Sequence, residues 1–366
     1  MQRPAILRRA RLASTHLLWH ADAVSGSRGT SSTHTQYTGL VLLAALIGLL
    51  GAAGSVVFQA AIATAARAFE TLAAALGAWG SAQPLAAPLV LAAGGVALLV
   101  LERLFPGHAL GYGFPRFLEM VHLEGGRVKR RWMIVKTLGA AISLGAGASV
   151  GREGPIAQIG GSIGSFVAQL LRLESRLKLL VACGAAAGIA TTFNAPIGSV
   201  MFAQEIVLQG KVELAHFSLI VISTATAVIV SRAMGGTETV FHARTFELGS
   251  YQEILTYGVM GLSLGLLAAG YVRFFHGMLE RVARLKLGTA PKLIGGLVLV
   301  GAVGAFLPQN LSDGYPAIND ALAGRLSLSL MLTLAAAKIL TSSISLACGA
   351  PGGVFGPIFF IGAMSG

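Results

Sequence analysis

Residues Lys136 to Pro155 read K-T-L-G-A-A-I-S-L-G-A-G-A-S-V-G-R-E-G-P, a Gly/Ala/Ser segment that carries no charge between Lys136 and Arg152-Glu153. The stretch predicts a helix running into a glycine-broken turn, with a second helix beginning at the turn. Gly151 and Gly154 allow backbone conformations that a Cβ forbids, and Pro155 suits the first turn of the following helix, expected over Ile156 to Leu171. A helix N-terminus is thereby aimed at this spot. Its free N–H groups and positive dipole end attract anions, and Glu153 sets a carboxylate beside that attraction.

The pattern recurs. Lys338 to Pro357 reads K-I-L-T-S-S-I-S-L-A-C-G-A-P-G-G-V-F-G-P, and at a constant offset of 202 residues ten of the twenty positions are identical without a gap. Upstream, Gly113-Phe114-Pro115 is echoed by Gly314-Tyr315-Pro316 at an offset of 201. The chain therefore reads as a tandem repeat of one membrane unit. Where the first copy has Arg152-Glu153 the second has Val354-Phe355, so the copies share a scaffold but not its charge.

A mean hydropathy of +0.74 and a charged fraction of only 11% identify an integral membrane protein, and its several uncharged runs, read as helices, make it all-α and polytopic. The 48 glycines suit close helix packing and broken helices. The net charge of +12 is explained first by basic cytoplasmic loops and second by a field that favours anions. Cys183 and Cys348 lie in Gly/Ala surroundings and read as packing residues, and the eight histidines have no ligand spacing, so neither a metal nor a cofactor is expected.

Residues 1–38 form a basic arm with five arginines against Asp22, which predicts a cytoplasmic N-terminus. Residues 39–232 make the first membrane repeat and 251–366 the second. Several uncharged runs reach the length of about 20 residues that a bilayer crossing needs. Others, such as Thr137 to Gly151, Ile156 to Leu171 and Leu326 to Ala337, are too short to cross alone. Short glycine-interrupted segments at matching places in two repeats predict discontinuous helices that meet near the midplane, where transporters place their binding site. The basic loops at 124–136 and 171–178 lack aromatic interleaving, which favours anionic lipid over nucleic acid as their neighbour.

Four motifs in order resemble the CLC family of chloride channels and proton-coupled chloride antiporters. They are Gly111-Tyr112-Gly113-Phe114-Pro115, Gly151-Arg152-Glu153-Gly154-Pro155, Phe193-Asn194-Ala195-Pro196 with Phe202 and Glu205 beyond it, and Gly353-Val354-Phe355-Gly356-Pro357. The resemblance implies inverted repeats of tilted, discontinuous helices and a homodimer in the inner membrane with one anion pathway per subunit. It implies no enzymatic step. Backbone N–H groups near Gly111, Tyr112 and Gly113, near Arg152, Glu153 and Gly154, and near Val354 and Phe355 would hold chloride or a similar anion through oriented dipoles. Glu153 is implied as the gating glutamate, blocking the path when ionised and swinging out when protonated or displaced.

Three departures accompany the resemblance. Tyr112 replaces the family's usual central serine; a phenol can donate to an ion, and packing is the alternative. The proton-relay position of the antiporters falls on Ile206, directly after Glu205, and Glu205 is read either as a displaced relay or as a structural residue. Carrying the 202-residue offset forward from Ser231 sets the end of the second repeat near residue 433, beyond Gly366. The second repeat is therefore expected to be incomplete, and the resemblance implies that the missing part supplies a pore-lining tyrosine and much of the dimer interface. Two functions follow: glutamate-gated anion transport, channel-like or proton-coupled, or a truncated non-transporting fragment acting at most as an assembly partner.

Overall fold

The computed structural model describes residues 30–77, 83–209, 214–234, 240–242 and 249–366. Most of the basic arm, residues 1–29, lies outside the described residues. The chain divides into two compact units, residues 1–43 and 44–366.

Among the described residues the regular elements are helices: α1 (Thr30–Gly77), α2 (Gln83–Leu104), α3 (Gly113–Leu123), α4 (Arg130–Gly145), α5 (Glu153–Leu170), α6 (Leu177–Phe193), α7 (Pro196–Phe202), α8 (Leu214–Ala233), α9 (Gln252–Arg284), α10 (Thr289–Phe306), α11 (Tyr315–Leu322), α12 (Leu328–Ala347) and α13 (Phe355–Ser365). Six of them are long and apolar enough to cross a membrane. The 33-residue α9 exposes Leu255, Leu262 and Leu266, an apolar face that suits lipid better than water. The all-α polytopic architecture is as the uncharged runs predict.

Charged residues that interrupt apolar stretches of the sequence do not all end helices. Arg67 and Glu70 lie within α1, both on exposed positions of the helix. Lys338 does not interrupt α12 although it is fully buried. Its Nζ donates to the carbonyls of Asn310 at 3.1 Å and Ser312 at 2.8 Å, so the ammonium has partners inside the fold. Lys136 of α4 does the same for the carbonyls of Ala109 and Leu110. In each copy the repeated lysine ties down the loop that leads into the next short helix.

The repeat is visible in the backbone. α4 ends at Gly145 and α12 at Ala347, and each is closed by a glycine with positive φ, Gly147 at +97° and Gly349 at +99°. In both, the following N–H groups fold back on the last turn: Gly147 to Leu144 and Ala148 to Ser143 at 3.1 and 3.0 Å, Gly349 to Leu346 and Ala350 to Ser345 at the same distances. The next helices start at Glu153 and Phe355, again 202 residues apart. α5 thus begins three residues earlier than Ile156 and takes Glu153 into its first turn.

Helices α5 and α6 pack closely enough to need glycine on both sides. A Cβ at Gly160 would strike the carbonyl of Gly184, one at Gly184 the carbonyl of Gly160, and one at Gly164 the carbonyl of Leu180. This small-residue seam brings two membrane helices together by backbone contact rather than by side-chain bulk. Gly184→Ala should therefore destabilise the fold by about 1–3 kcal/mol, the cost of overpacking a tight contact. Gly258→Ala in α9, where nothing lies within 4 Å, should leave stability equal or raise it. Denaturant unfolding in detergent micelles, followed by helical circular dichroism, checks the pair; equal stability of the two variants would contradict the packing.

Candidate functional site

The two glycine breaks meet each other. Gly151 N–H donates to the Gly353 carbonyl at 2.7 Å and Gly353 N–H to the Gly151 carbonyl at 2.8 Å, an isolated antiparallel bridge between equivalent residues of the two copies. A reciprocal pair of this kind places a local two-fold relation through the bridge, with the two segments running in opposite directions. A second reciprocal pair supports it: Gly111 N–H donates to Gly349 O at 2.8 Å, and Ser312 N–H to Gly147 O at 3.0 Å. A Cβ on Gly151 would run into Glu153 Oε2 and lie 2.6 Å from Gly356 N, so the approach requires glycine.

Glu153 is buried at this junction, 1% exposed. Its Oε2 accepts the Gly356 N–H at 2.8 Å, from the first turn of α13. Glu153 itself opens α5, so the N-termini of α5 and α13 both lie beside the carboxylate. Oε1 accepts a hydrogen bond from the Tyr315 hydroxyl, at the start of α11. The carboxylate is thus a negative group seated between two helix ends.

Beside it, Arg152 pairs with Asp313, its Nε donating to Oδ2 at 2.6 Å, and its guanidinium lies 4.9 Å from the centre of the Tyr315 ring. Asp313 is 3% exposed, so this ion pair is largely withdrawn from solvent. A cavity of about 260 Å³ opens from Glu153, walled by Ile189, Phe193, Ala195, Gly198, Ser199, Phe202, Phe355 and Phe359. The phenylalanines interlock edge to face, Phe202 on Phe355 at 5.8 Å and Phe193 on Phe359 at 5.4 Å.

Local sequence explains how the cavity is built. Asn194 adopts the left-handed conformation, φ +52°, to end α6, and Pro196 takes the first helical position of α7. That sharp reversal holds Phe193 and Phe202 on the same cavity wall. After Phe202 the chain widens into a π-helical turn, Ala203–Val207.

The sequence-derived residues are distributed as follows. Arg152, Glu153, Gly154, Val354 and Phe355 gather at the junction; Gly154 is buried 3.3 Å from Gly353 at the position of its absent Cβ, and Phe355 faces the cavity. Gly111 has positive φ and gives its N–H to Gly349, so that donor is engaged. Tyr112 and Val354 are packed against one hydrophobic cluster with Tyr271, and Tyr112 is not among the cavity-lining residues. Gly113 opens α3 against Lys136 and Gln158. Glu205 is exposed on the π-helical turn and Ile206 half-buried, and neither lines the cavity. Sequence reasoning noted Tyr315 only as part of an echo and did not single out Asp313; the 201-residue repeat was the signal that could have marked both.

Two antiparallel copies of a broken-helix unit, delivering helix N-termini to one buried spot in a polytopic helical protein, define a membrane transporter-type architecture. The family described as voltage gated chloride channel matches residues 93–366, and the chain belongs to that family. It is 32% identical over 351 residues to a ClcB-like protein of Ralstonia nicotianae, covering 89% of this chain and 77% of that protein. It is 29% identical over 357 residues to the H(+)/Cl(-) exchange transporter ClcA of Vibrio campbellii, covering 94% and 75%. Among solved structures it shares the fold of a slow cyanobacterial Cl-/H+ antiporter, with TM-score 0.75, 24% identity and coverage of 88% and 76%. A CLC-type fluoride/proton antiporter has the same TM-score of 0.75 at 21% identity, with 88% and 79% covered.

The Arg152–Asp313 pair yields a test of the junction. Asp313→Ala leaves Arg152 partly buried without its partner and should cost about 3 kcal/mol, whereas Arg152→Met combined with Asp313→Leu should recover most of that loss. Thermal unfolding in micelles checks it; a single variant as stable as wild type would contradict the pairing.

Proposed function

We propose that this chain carries chloride or a similar small anion across the membrane, through a pathway gated by Glu153. The observation that carries the reading is the buried Glu153 carboxylate seated on the Gly356 N–H, between two helix N-termini and at the mouth of an aromatic-walled cavity. A tethered carboxylate and a free anion compete for the same dipoles, so an anion arriving through the cavity displaces the side chain and takes its place. Oriented N–H groups carry only partial charge, which lets the ion leave again. An intramembrane carboxylate in such a place is ordinarily functional.

Within this reading the anion contacts come from the ends of α5 and α13, at Glu153, Gly154, Phe355 and Gly356, with Arg152 held aside by Asp313. Residues 39–232 and 251–366 are proposed as the two repeats. The reading takes the chain as a multi-pass protein of the bacterial inner membrane, working as a homodimer in lipid and transporting rather than catalysing, as the relatives' names as channel protein and exchange transporter support. Proton-coupled exchange is favoured by the likeness to a relative named as an H(+)/Cl(-) exchange transporter. Uncoupled passage is favoured by Ile206, which cannot carry a proton, and by the exposure of Glu205 away from the cavity lining.

Anion efflux from proteoliposomes, with proton movement recorded alongside, tests the proposal. Chloride should leave vesicles that contain the chain. Where protons move against chloride, Glu153→Ala should abolish the proton movement while chloride still passes; chloride flux without protons in the wild type assigns uncoupled conduction. Absence of anion flux, or proton movement unchanged by Glu153→Ala, would contradict the gated pathway.

A further inference from the structure

The local two-fold relation lets every contact at the junction be compared with its counterpart. Glu153 in the first copy corresponds to Phe355 in the second, and Phe114 corresponds to Tyr315. Phe114 meets Phe355 edge to face, with ring centres 5.7 Å apart. Tyr315 meets Glu153 through its hydroxyl. The fold thus makes the same inter-helix contact twice, once as Phe on Phe and once as Tyr on Glu. The neighbouring pair follows suit: Arg152 and Asp313 form an ion pair, while their counterparts Val354 and Tyr112 are packed against one hydrophobic cluster. The phenol is therefore not needed for packing alone, since a phenylalanine satisfies the equivalent place in the other copy.

We propose that Tyr315 is a positioning residue for the gate: its hydroxyl, donated from the opposite copy of the repeat, holds the Glu153 carboxylate on the Gly356 N–H and so sets how readily an anion displaces it. The proposal rests on the gating reading of Glu153 given above. Tyr315 is well placed to be rigid. It is 6% exposed, its ring lies 5.1 Å from that of Phe241 and under the Arg152 guanidinium, and its backbone N–H donates to Asp313 Oδ1 at 3.3 Å. The hydroxyl therefore reaches Glu153 from a fixed ring, with no rotamer search to oppose the contact. The charged groups acting on Glu153 from the surrounding elements are Arg152 at the start of α5, Asp313 before α11 and Lys338 on α12. All three are engaged with other partners: Arg152 with Asp313, and Lys338 with two carbonyls. Of the side chains around the gate, Tyr315 is the one the hydrogen-bond pattern joins to its carboxylate.

Tyr315→Phe tests this cleanly, because it keeps the ring and its stacking and removes one oxygen. Equilibrium chloride binding to the purified full chain in micelles, measured by isothermal titration calorimetry, reads the competition between ion and gate. Tyr315→Phe should tighten apparent chloride affinity by about tenfold, the size expected for one hydrogen bond to a charged group. Glu153→Ala should tighten it further. In the Glu153→Ala background, Tyr315→Phe should make no difference, an outcome that a purely structural role for Tyr315 would not produce. Unchanged affinity in Tyr315→Phe, or a shift of the same size with and without Glu153, would overturn the positioning role and leave the gate standing. Glu153→Ala binding chloride no better than wild type, or not at all, would remove the gating reading itself.

Discussion

The antiparallel bridge between Gly151 and Gly353 is the constraint on which the rest of the junction depends. Two backbone segments exchange N–H···O bonds of 2.7 and 2.8 Å inside a helical membrane protein, and this is possible only because both helices of each copy stop there. In a bilayer, irregular backbone survives where protein satisfies its polar groups, and here each broken segment satisfies the other. Once the bridge is made, the residues that follow are committed. Glu153 and Phe355 must open the next helices, and the N-terminus of α13 must face the carboxylate of α5. The Schellman-type closures at Gly147 and Gly349 bring the chain to the bridge at matching angles in both copies.

Symmetry of backbone is combined with asymmetry of side chain. One copy contributes Arg152, Glu153 and Phe114, the other Val354, Phe355 and Tyr315, with Asp313 set against Tyr112. Glu153 and Phe355 both reach the cavity, while Arg152, Asp313 and Tyr315 gather around the carboxylate. A duplicated scaffold thus carries one buried carboxylate rather than two, facing an aromatic-walled cavity. The buried lysines, Lys136 and Lys338, are the exception that retains the symmetry: each fastens loop carbonyls ahead of its neighbouring short helix.

Much of this was legible in the sequence because glycine and proline placement is a local signal. The 202-residue offset, the helix breaks and the presence of Glu153 at a helix start follow from residues that restrict their own backbone. The partners of Glu153 were not legible, since a hydroxyl 162 positions away in sequence is brought there by tertiary packing and leaves no periodic trace. Lys338 misled for a related reason: a lone cation in an apolar run reads as a boundary until the carbonyls that receive it are known. Tyr112 shows the limit of motif matching. Its position in the Gly111–Pro115 motif pointed to the ion, while its bulk sets it against an apolar cluster with Tyr271 and Val354.

The central claim is that the Glu153 carboxylate and a permeating anion share one site on the Gly356 N–H. The most direct measurement is a structure of the reconstituted protein determined with and without saturating bromide, locating the halide by its anomalous scattering. The account predicts bromide within hydrogen-bond distance of the Gly356 N–H, with the Glu153 side chain displaced toward the cavity, and the carboxylate back in that place when halide is removed. Bromide bound elsewhere while Glu153 stays on Gly356, or bound beside an unmoved carboxylate, would contradict it.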